Sequence, residues 1–237
     1  MNLVDKLTAL SLTHKQLTVD ELSEVAKTIH KICMGTRHPL FVLHTCNRVE
    51  VYLYDAPADF VEFVKSGYAP YANRVVEYRG LDAARHLFRV AAGLESMLVG
   101  ETDVLGQVEE AFDRQVKAGY TRGLLKTIVE RAIRVGKRVR TETAISRGPR
   151  GLGSLAIIYV KRRFPLEESD VCVIGAGSVG RGIVKELRDA GTRRVVVVNR
   201  SVEKAAHLGV EVWALSAENV ERCLKKFDVV FTAVSVF

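Results

Sequence analysis

The strongest constraint on what this chain can fold into is a short apolar run closed by a glycine-rich turn. Val171-Cys172-Val173-Ile174 is continuously apolar, as in a strand buried on both faces, and Gly175-Ala176-Gly177-Ser178-Val179-Gly180 follows it directly. A helical segment then runs to Ala190, and a second apolar run at residues 195–198 completes a β-α-β unit of the expected size. The glycine spacing alone is weak; between a strand and a helix it marks a dinucleotide-binding turn. Gly175 permits the tight turn, Gly177 lets backbone N–H groups approach a pyrophosphate, and Gly180 lets helix and strand close up. A glycine turn that binds nothing is the plainer alternative, and the flanking pattern weighs against it. Where an NAD site places a carboxylate for the ribose 2′-hydroxyl, this chain has Asn199-Arg200-Ser201. A carboxylate repels a 2′-phosphate, whereas Arg200 can pair with one through two hydrogen bonds. The predicted cofactor is therefore NADPH, held by Gly175, Ala176, Gly177, Ser178, Val179, Gly180, Asn199, Arg200 and Ser201.

Ahead of this unit, Ser146, Gly148, Pro149, Gly151 and Gly153 crowd together and mark a boundary. The expected division is a catalytic domain over 1–145, a linker and connecting helix over 146–169, and a partial Rossmann unit over 170–237. In the first part, strands are expected at 7–12, 41–43, 49–54 and 75–78, and helices at 18–32 and 58–65. A helical pattern over 81–140 is broken at Gly93, Gly100 and around 119–123. The fold class is α/β: an N-terminal α+β domain followed by a partial Rossmann-type NADP-binding domain.

Hydrophobic residues make up 48% and charged residues 27%, the balance of a soluble globular protein. The apolar runs are far too short to cross a bilayer, and the start of the chain carries no signal-peptide pattern, so a cytoplasmic protein with no membrane partner is expected. The net charge is +7. Nine Lys or Arg residues fall between Arg114 and Arg140 against one acid, Glu130. Arg131, Arg134 and Arg138 recur at helical spacing with Ile128, Val135 and Val139 between them, predicting an amphipathic helix with a basic face. A solvated face is the plainer reading of that pattern; a track for nucleic-acid phosphates is the functional one. No aromatics interleave with the charges, which argues against a single-strand stacking platform.

Cys33, Cys46, Cys172 and Cys223 are widely spaced with no CxxC pair, which argues against a disulfide framework and against a metal site. Cys172 and Cys223 read as core residues. Cys46 is the candidate nucleophile, because it sits in the polar turn His44-Thr45-Cys46-Asn47-Arg48 at a strand end, where Arg48 is expected to lower its pKa. A thiolate combined with NADPH points to thioester capture followed by reduction to an aldehyde. His86 falls on a helix, where a structural histidine is commoner than a catalytic one. Ser96 and Glu101 follow glycines that let chain and ligand approach closely.

Three stretches, Thr45 to Tyr52, His86 to Gln107 and Gly136 to Ser146, together with the glycine turn and Asn199-Arg200, resemble the glutamyl-tRNA reductase family over nearly the whole chain. The resemblance implies that Cys46 attacks the ester joining glutamate to its tRNA, and that NADPH reduces the thioester to glutamate-1-semialdehyde, the entry to tetrapyrrole synthesis by the C5 route. It assigns Thr45, Asn47, Arg48, Ser96, Glu101, Thr102, Asp103 and Gln107 to substrate binding, with Arg48 suited to the substrate α-carboxylate. His86 becomes an acid/base or a polariser of the ester carbonyl, and the basic helix gains a tRNA partner. The semialdehyde aminomutase is an expected acceptor of the product. His44 stands where the family has a small residue, and Thr102-Asp103 where a segment ending in Gln is usual. Family members continue into a helical dimerisation domain, whereas this sequence stops at Phe237. A short form or fragment is therefore expected, with a homodimer only if that domain is present. Two other activities remain open: a thiol esterase acting on glutamyl-tRNA, and a non-catalytic tRNA-binding module.

Overall fold

The computed structural model describes residues 3–101, 103–145 and 151–234. The chain divides into two compact units, Met1–Ser146 and Arg147–Phe237.

In the first unit the described elements are β1 Leu7–Thr13, α1 Val19–Cys33, β2 Leu40–Thr45, β3 Arg48–Tyr54, α2 Ala58–Ser66, β4 Val76–Arg79, α3 Gly80–Ala91, α4 Asp103–Lys117 and α5 Gly123–Glu142. The strands form an antiparallel sheet in the order β2-β3-β1-β4. Because strand side chains alternate faces, Leu7, Ala9, Phe41, Leu43 and Tyr52 meet Leu87, Val108 and Val129 of α3, α4 and α5 on one face. Leu10, Val42, Val49, Val51 and Leu53 meet Leu22, Ile29 and Val64 of α1 and α2 on the other. The same alternation carries Ser11, Arg48 and Glu50 inward on the α3 side, and all three are buried. Helix α1 opens on a capping box in which Thr18 and Glu21 satisfy each other's backbone N–H groups.

Strand β2 is a sheet edge, and its outward groups are sealed. The Gln115 amide accepts from Val42 N (2.8 Å) and donates to Val42 O (2.7 Å), and Thr121 Oγ1 donates to Leu40 O at 2.8 Å. The buried seam of α5 is Leu125, Val129, Ala132, Ile133 and Gly136. Ile128, Val135 and Val139, the apolar positions singled out in the sequence, are only half-buried. Gly136 allows α5 to lie against α3; a Cβ there would come 2.6 Å from Ala91 O.

The second unit comprises α6 Leu152–Lys161, β5 Asp170–Ile174, α7 Ser178–Asp189, β6 Arg194–Asn199, α8 Val202–Ala205, β7 Glu211–Ala214, α9 Ala217–Lys226 and β8 Val229–Thr232. Its sheet is parallel throughout, in the order β7-β6-β5-β8. Strand order reverses between β5 and β8, and such a switch point opens a crevice beyond the carboxyl ends of the strands. Helix α6, read as a connector, packs on α7, where a Cβ on Gly153 would stand 3.1 Å from Ile183 N. Of the breaker residues at the boundary, Ser146, Gly148 and Pro149 lie outside the described residues.

Cys172 on β5 and Cys223 on α9 form a disulfide with their Cα atoms 6.0 Å apart. This corrects the expectation of two unlinked core cysteines. Spacing argued against a bridge because 51 residues separate the pair; packing of α9 over the sheet brings them together, beside Ile174 and Val198. Among the described residues no helix is long and apolar enough to cross a membrane.

Candidate active site

Strands β2 and β3 pair in a register that sets Thr45 opposite Arg48, leaving Cys46 and Asn47 as a two-residue turn. Asn47 N donates to Thr45 Oγ1 at 3.1 Å, and Asn47 O accepts from His14 N at 2.8 Å. Cys46 is exposed, whereas the other free cysteine, Cys33, is buried and its thiol is pushed up to about 12 by desolvation. Among the described residues, Cys46 is thus the thiol a substrate can reach.

Beneath the turn lies a buried polar cluster centred on Glu50. Its Oε1 accepts from Ser11 Oγ (2.9 Å), Arg48 Nη1 (3.1 Å) and His86 Nε2 (3.0 Å), and its Oε2 from Tyr52 Oη (2.6 Å). Burial pushes the Glu50 carboxyl up, but Arg48, His86 and the hydrogen bonds outweigh it and hold the group down to about 2. An ionised carboxylate only accepts, so His86 Nε2 carries the proton and Nδ1 is the ring atom left for other work. The ring also stacks on Tyr78 at 4.3 Å. The Arg48 side chain is 1% exposed. It spends Nη1 on Glu50 and Nη2 on Glu95 O (2.6 Å), and its buried Nε has no partner.

The expectation of a lowered Cys46 pKa is overturned, although Arg48 itself acts in that direction. The thiol is raised, chiefly by desolvation and then by Glu101, with Asp103 adding to the effect; Arg48 is the weakest influence named and cannot reverse it. A guanidinium already neutralised by Glu50 has little field left for the thiol.

The chain between α3 and α4 supplies the rest of this site. Ser96 is buried with its Oγ unpartnered, Glu101 is half-buried, and Asp103 opens α4 exposed. Gln107 is one turn further along α4 on the same face. Thr102 lies outside the described residues.

In the second unit, a cavity of about 420 Å³ opens at the switch point, lined by Gly175, Gly177, Asn199, Arg200 and Ser201 with Arg181 and Lys204. Gly175 has φ +102°. A Cβ on Gly177 would meet nothing within 4 Å, while one on Gly180 would overlap Gly175 O. The cradle is therefore open where a pyrophosphate needs backbone and closed where helix meets strand. Asn199 braces it, accepting from Ala176 N (3.1 Å) and donating to Ser201 O (2.9 Å). Ser178 and Val179 form the first turn of α7, whose N-cap is Gly177. Ordered backbone N–H groups and three cations suit a nucleotide with a 2′-phosphate.

The family model described as the N-terminal domain of glutamyl-tRNA(Glu) reductase matches residues 10–143. The chain belongs to the glutamyl-tRNA reductase family. A second model, shikimate/quinate 5-dehydrogenase, matches residues 159–236. Glutamyl-tRNA reductase 1 of Pyrobaculum arsenaticum is 76% identical over all of this chain and 61% of its own length. That of Pyrobaculum calidifontis is 70% identical over 99% of this chain and 61% of its own. The solved glutamyl-tRNA reductase of Methanopyrus kandleri superposes with a TM-score of 0.64 at 36% identity, over 98% of this chain and 59% of that one. The chain thus spans about 61% of the length of the curated relatives it matches most fully.

The part that matches the reductase family's N-terminal domain contains several site residues that reading the sequence did not single out: Ser11, Glu50, Tyr52, Tyr78 and Glu95. A lone acid inside the otherwise apolar strand Val49 to Tyr54 was the signal available for Glu50. Lys204, one turn beyond Ser201, was likewise missed. The basic face of α5 is thinner than its composition suggests: Lys137 pairs with Glu109, Arg138 with Glu142, and Arg140 turns inward. Arg131 and Arg134 stay exposed.

Proposed function

We propose that the chain forms a glutamyl thioester on Cys46 from glutamyl-tRNA(Glu) and reduces it with NADPH to glutamate-1-semialdehyde. The observation that carries this reading is an accessible thiol, on a two-residue turn and within the field of Glu101 and Asp103, in a chain that also holds an open glycine cradle with cations. Residues 1–145 act as the substrate domain and residues 170–237 as the nucleotide domain, with α6 joined to the latter by its packing on α7.

The Cys46 sulfur attacks the ester carbonyl carbon, and the terminal ribose oxygen of the tRNA leaves and takes up a proton. NADPH, when bound, supplies the hydride that converts the thioester carbonyl to an aldehyde and releases the Cys46 sulfur. At rest the thiol keeps its proton, because desolvation and the nearby carboxylates disfavour a further negative charge. The α-ammonium group of the aminoacyl ester offsets part of the charge of Glu101 and Asp103 where it binds beside them, which eases thiol ionisation. Ser96 Oγ and Asn47 are the polar groups available to orient the glutamyl moiety, with Gln107 further along α4. Arg48 acts on the site from within, holding Glu95 O and Glu50; the α-carboxyl of the substrate is the ester under attack, so the α-carboxylate contact expected of Arg48 does not arise. His86, pinned through Nε2, keeps Nδ1 for proton transfer. Arg131 and Arg134 meet tRNA phosphates, and the aminomutase collects the labile aldehyde.

The test is a single-turnover reaction with glutamyl-tRNA, with and without NADPH, on wild type and Cys46→Ser. NADPH-dependent semialdehyde that disappears in the variant supports the proposal. Cys46-dependent release of free glutamate without aldehyde reduces the chain to a thiol esterase. No acylation at all leaves a tRNA-binding module.

A further inference from the structure

We propose that Arg140 is a positioning residue for the Cys46 site, clamping the loop that carries Ser96 and Glu101. The proposal rests on Cys46 being the reactive group of that site. Its basis is geometric. The loop leaves α3 after Ala91 and returns at Glu101 through a neck closed by Gly100 N donating to Gly93 O at 3.0 Å. The neck residues Gly93 and Gly100 have φ +80° and +83°, a region that disfavours any side chain. One guanidinium spans both ends. Arg140 Nη1 donates to Ala91 O (2.8 Å) and to Gly136 O on its own helix (3.1 Å), while Nη2 donates to Glu101 O at 2.8 Å.

Nothing can be inserted between clamp and neck. A Cβ on Gly93 would stand 3.1 Å from Arg140 Nη2 and 3.3 Å from Glu101 O, and one on Gly100 would overlap Ile145 O. Beyond the neck, the loop is fastened by Leu94 N donating to Arg89 O (2.9 Å), by Arg48 to Glu95 O and by the pairing of Arg89 and Lys15 with the Glu95 carboxylate. Met97 and Val99 are 53% and 60% exposed, so apolar packing does little to hold the tip. Glu101, whose carbonyl Arg140 grips, is the carboxylate that acts most strongly on the Cys46 thiol. A planar fork of donors fixes a peptide oxygen in direction as well as distance, which a lysine on the same helix cannot do.

The readout is the pH dependence of Cys46 alkylation by iodoacetamide, on the whole chain under non-reducing conditions. Cys33 is buried and the other two cysteines are bonded, so the reagent reports Cys46. The charged groups that act on this thiol are Glu101 from the loop, Asp103 from α4 and Arg48 from β3. Releasing the clamp lets Glu101 drift away and water enter. Both changes favour the thiolate, so Arg140→Gln should move the alkylation midpoint down by about half a pH unit, the scale of one screened charge at several ångströms. Glu101→Gln should give the part of that shift that comes from its charge, the double variant no more than Arg140→Gln alone, and Arg140→Lys an intermediate value. Unchanged midpoints in Arg140→Gln and Arg140→Lys, with only thermal stability lowered, would overturn the proposal. If Arg140→Gln does not fold, Arg140→Lys carries the same decision alone. Because alkylation needs neither tRNA nor nucleotide, it stands apart from the acylation test: a wild type that never accepts glutamate sinks the proposed function and leaves this measurement intact.

Discussion

Reducing the Cys172–Cys223 bond should destabilise the second unit by about 4 kcal/mol. The figure comes from the chain entropy restored to the unfolded state when a loop of 51 residues is opened. Besides the bond, α9 is held by Val220 packed on the same cluster, by Asn219 Nδ2 donating to Ala214 O at 2.8 Å and by Arg222 over the Trp213 ring. Cys223 is the one residue of that helix that is buried, and the buried cluster on this face is Cys172, Ile174, Val198 and Cys223. The chain's single tryptophan, Trp213, packs against the same cluster, edge-on to Phe227 at 5.8 Å, so its fluorescence reports this region. Urea unfolding followed through Trp213, with and without a strong reductant, should show the midpoint falling by roughly 2–4 M, taking a denaturant slope of about 1–2 kcal/mol/M for a unit of this size. Cys223→Ala should reproduce the loss and make the reductant irrelevant. Coincident curves for oxidised and reduced wild type, with two free thiols titrated in the untreated protein, would refute the reasoning.

Glu50→Gln should cost about 3–5 kcal/mol, because it leaves the Arg48 guanidinium buried without a countercharge; denaturant melts at neutral pH check this. Glu50 is held near 2 rather than 4.5, so its stabilisation is complete above 4.5 and drains away as pH falls toward 2. A fall of about 3 kcal/mol between pH 6 and pH 2 from this group, absent in Glu50→Gln, is the matching linkage result. Arg200→Ala combined with Lys204→Ala should weaken NADPH binding by about 10- to 100-fold while leaving NADH nearly unchanged, on the scale of one or two charge-assisted hydrogen bonds; nucleotide fluorescence titration reads the ratio. Reversing charge at Arg131 and Arg134 should reduce the salt slope of tRNA binding by about 2, one for each phosphate no longer neutralised. An unchanged slope would leave α5 as a solvated face.

What could be read from the sequence was local. The run ending in Gly175-Ala176-Gly177-Ser178-Val179-Gly180 carries strand, turn and helix within a few residues, and each glycine meets a surrounding that suits it. Breaks at Gly93, Gly100 and around 119–123 likewise separate α3, α4 and α5 where the structure ends them. Strand β7 escaped although Val212-Trp213-Ala214 is apolar, because the element is four residues long, exposed at both ends and only half-buried between them. The disulfide escaped because a cysteine inside an apolar strand and one on a polar helix give no sign of each other until packing joins them. The pairing of charges was equally hidden. Counting Lys and Arg on α5 says nothing of Glu109, which stands on another helix, or of Ala91 and Glu101, whose carbonyls draw Arg140 inward. The Cys46 thiol was misjudged for the same reason, since Arg48 two residues on looks like an activator until Glu50 is seen to occupy it.

The hairpin that presents Cys46 has a consequence for how this stretch can vary. Side chains 48, 50 and 52 face the α3 side, and 49, 51 and 53 face α1 and α2. Inserting or deleting one residue at the turn would exchange those sets, driving two valines and a leucine against His86 and setting a guanidinium and a carboxylate against the apolar face. Substitution at Asn47 or His44 leaves this arrangement in place, but a change of length does not. Drift in this hairpin is therefore confined to the identity of its exposed residues, while the count between Thr45 and Arg48 stays frozen.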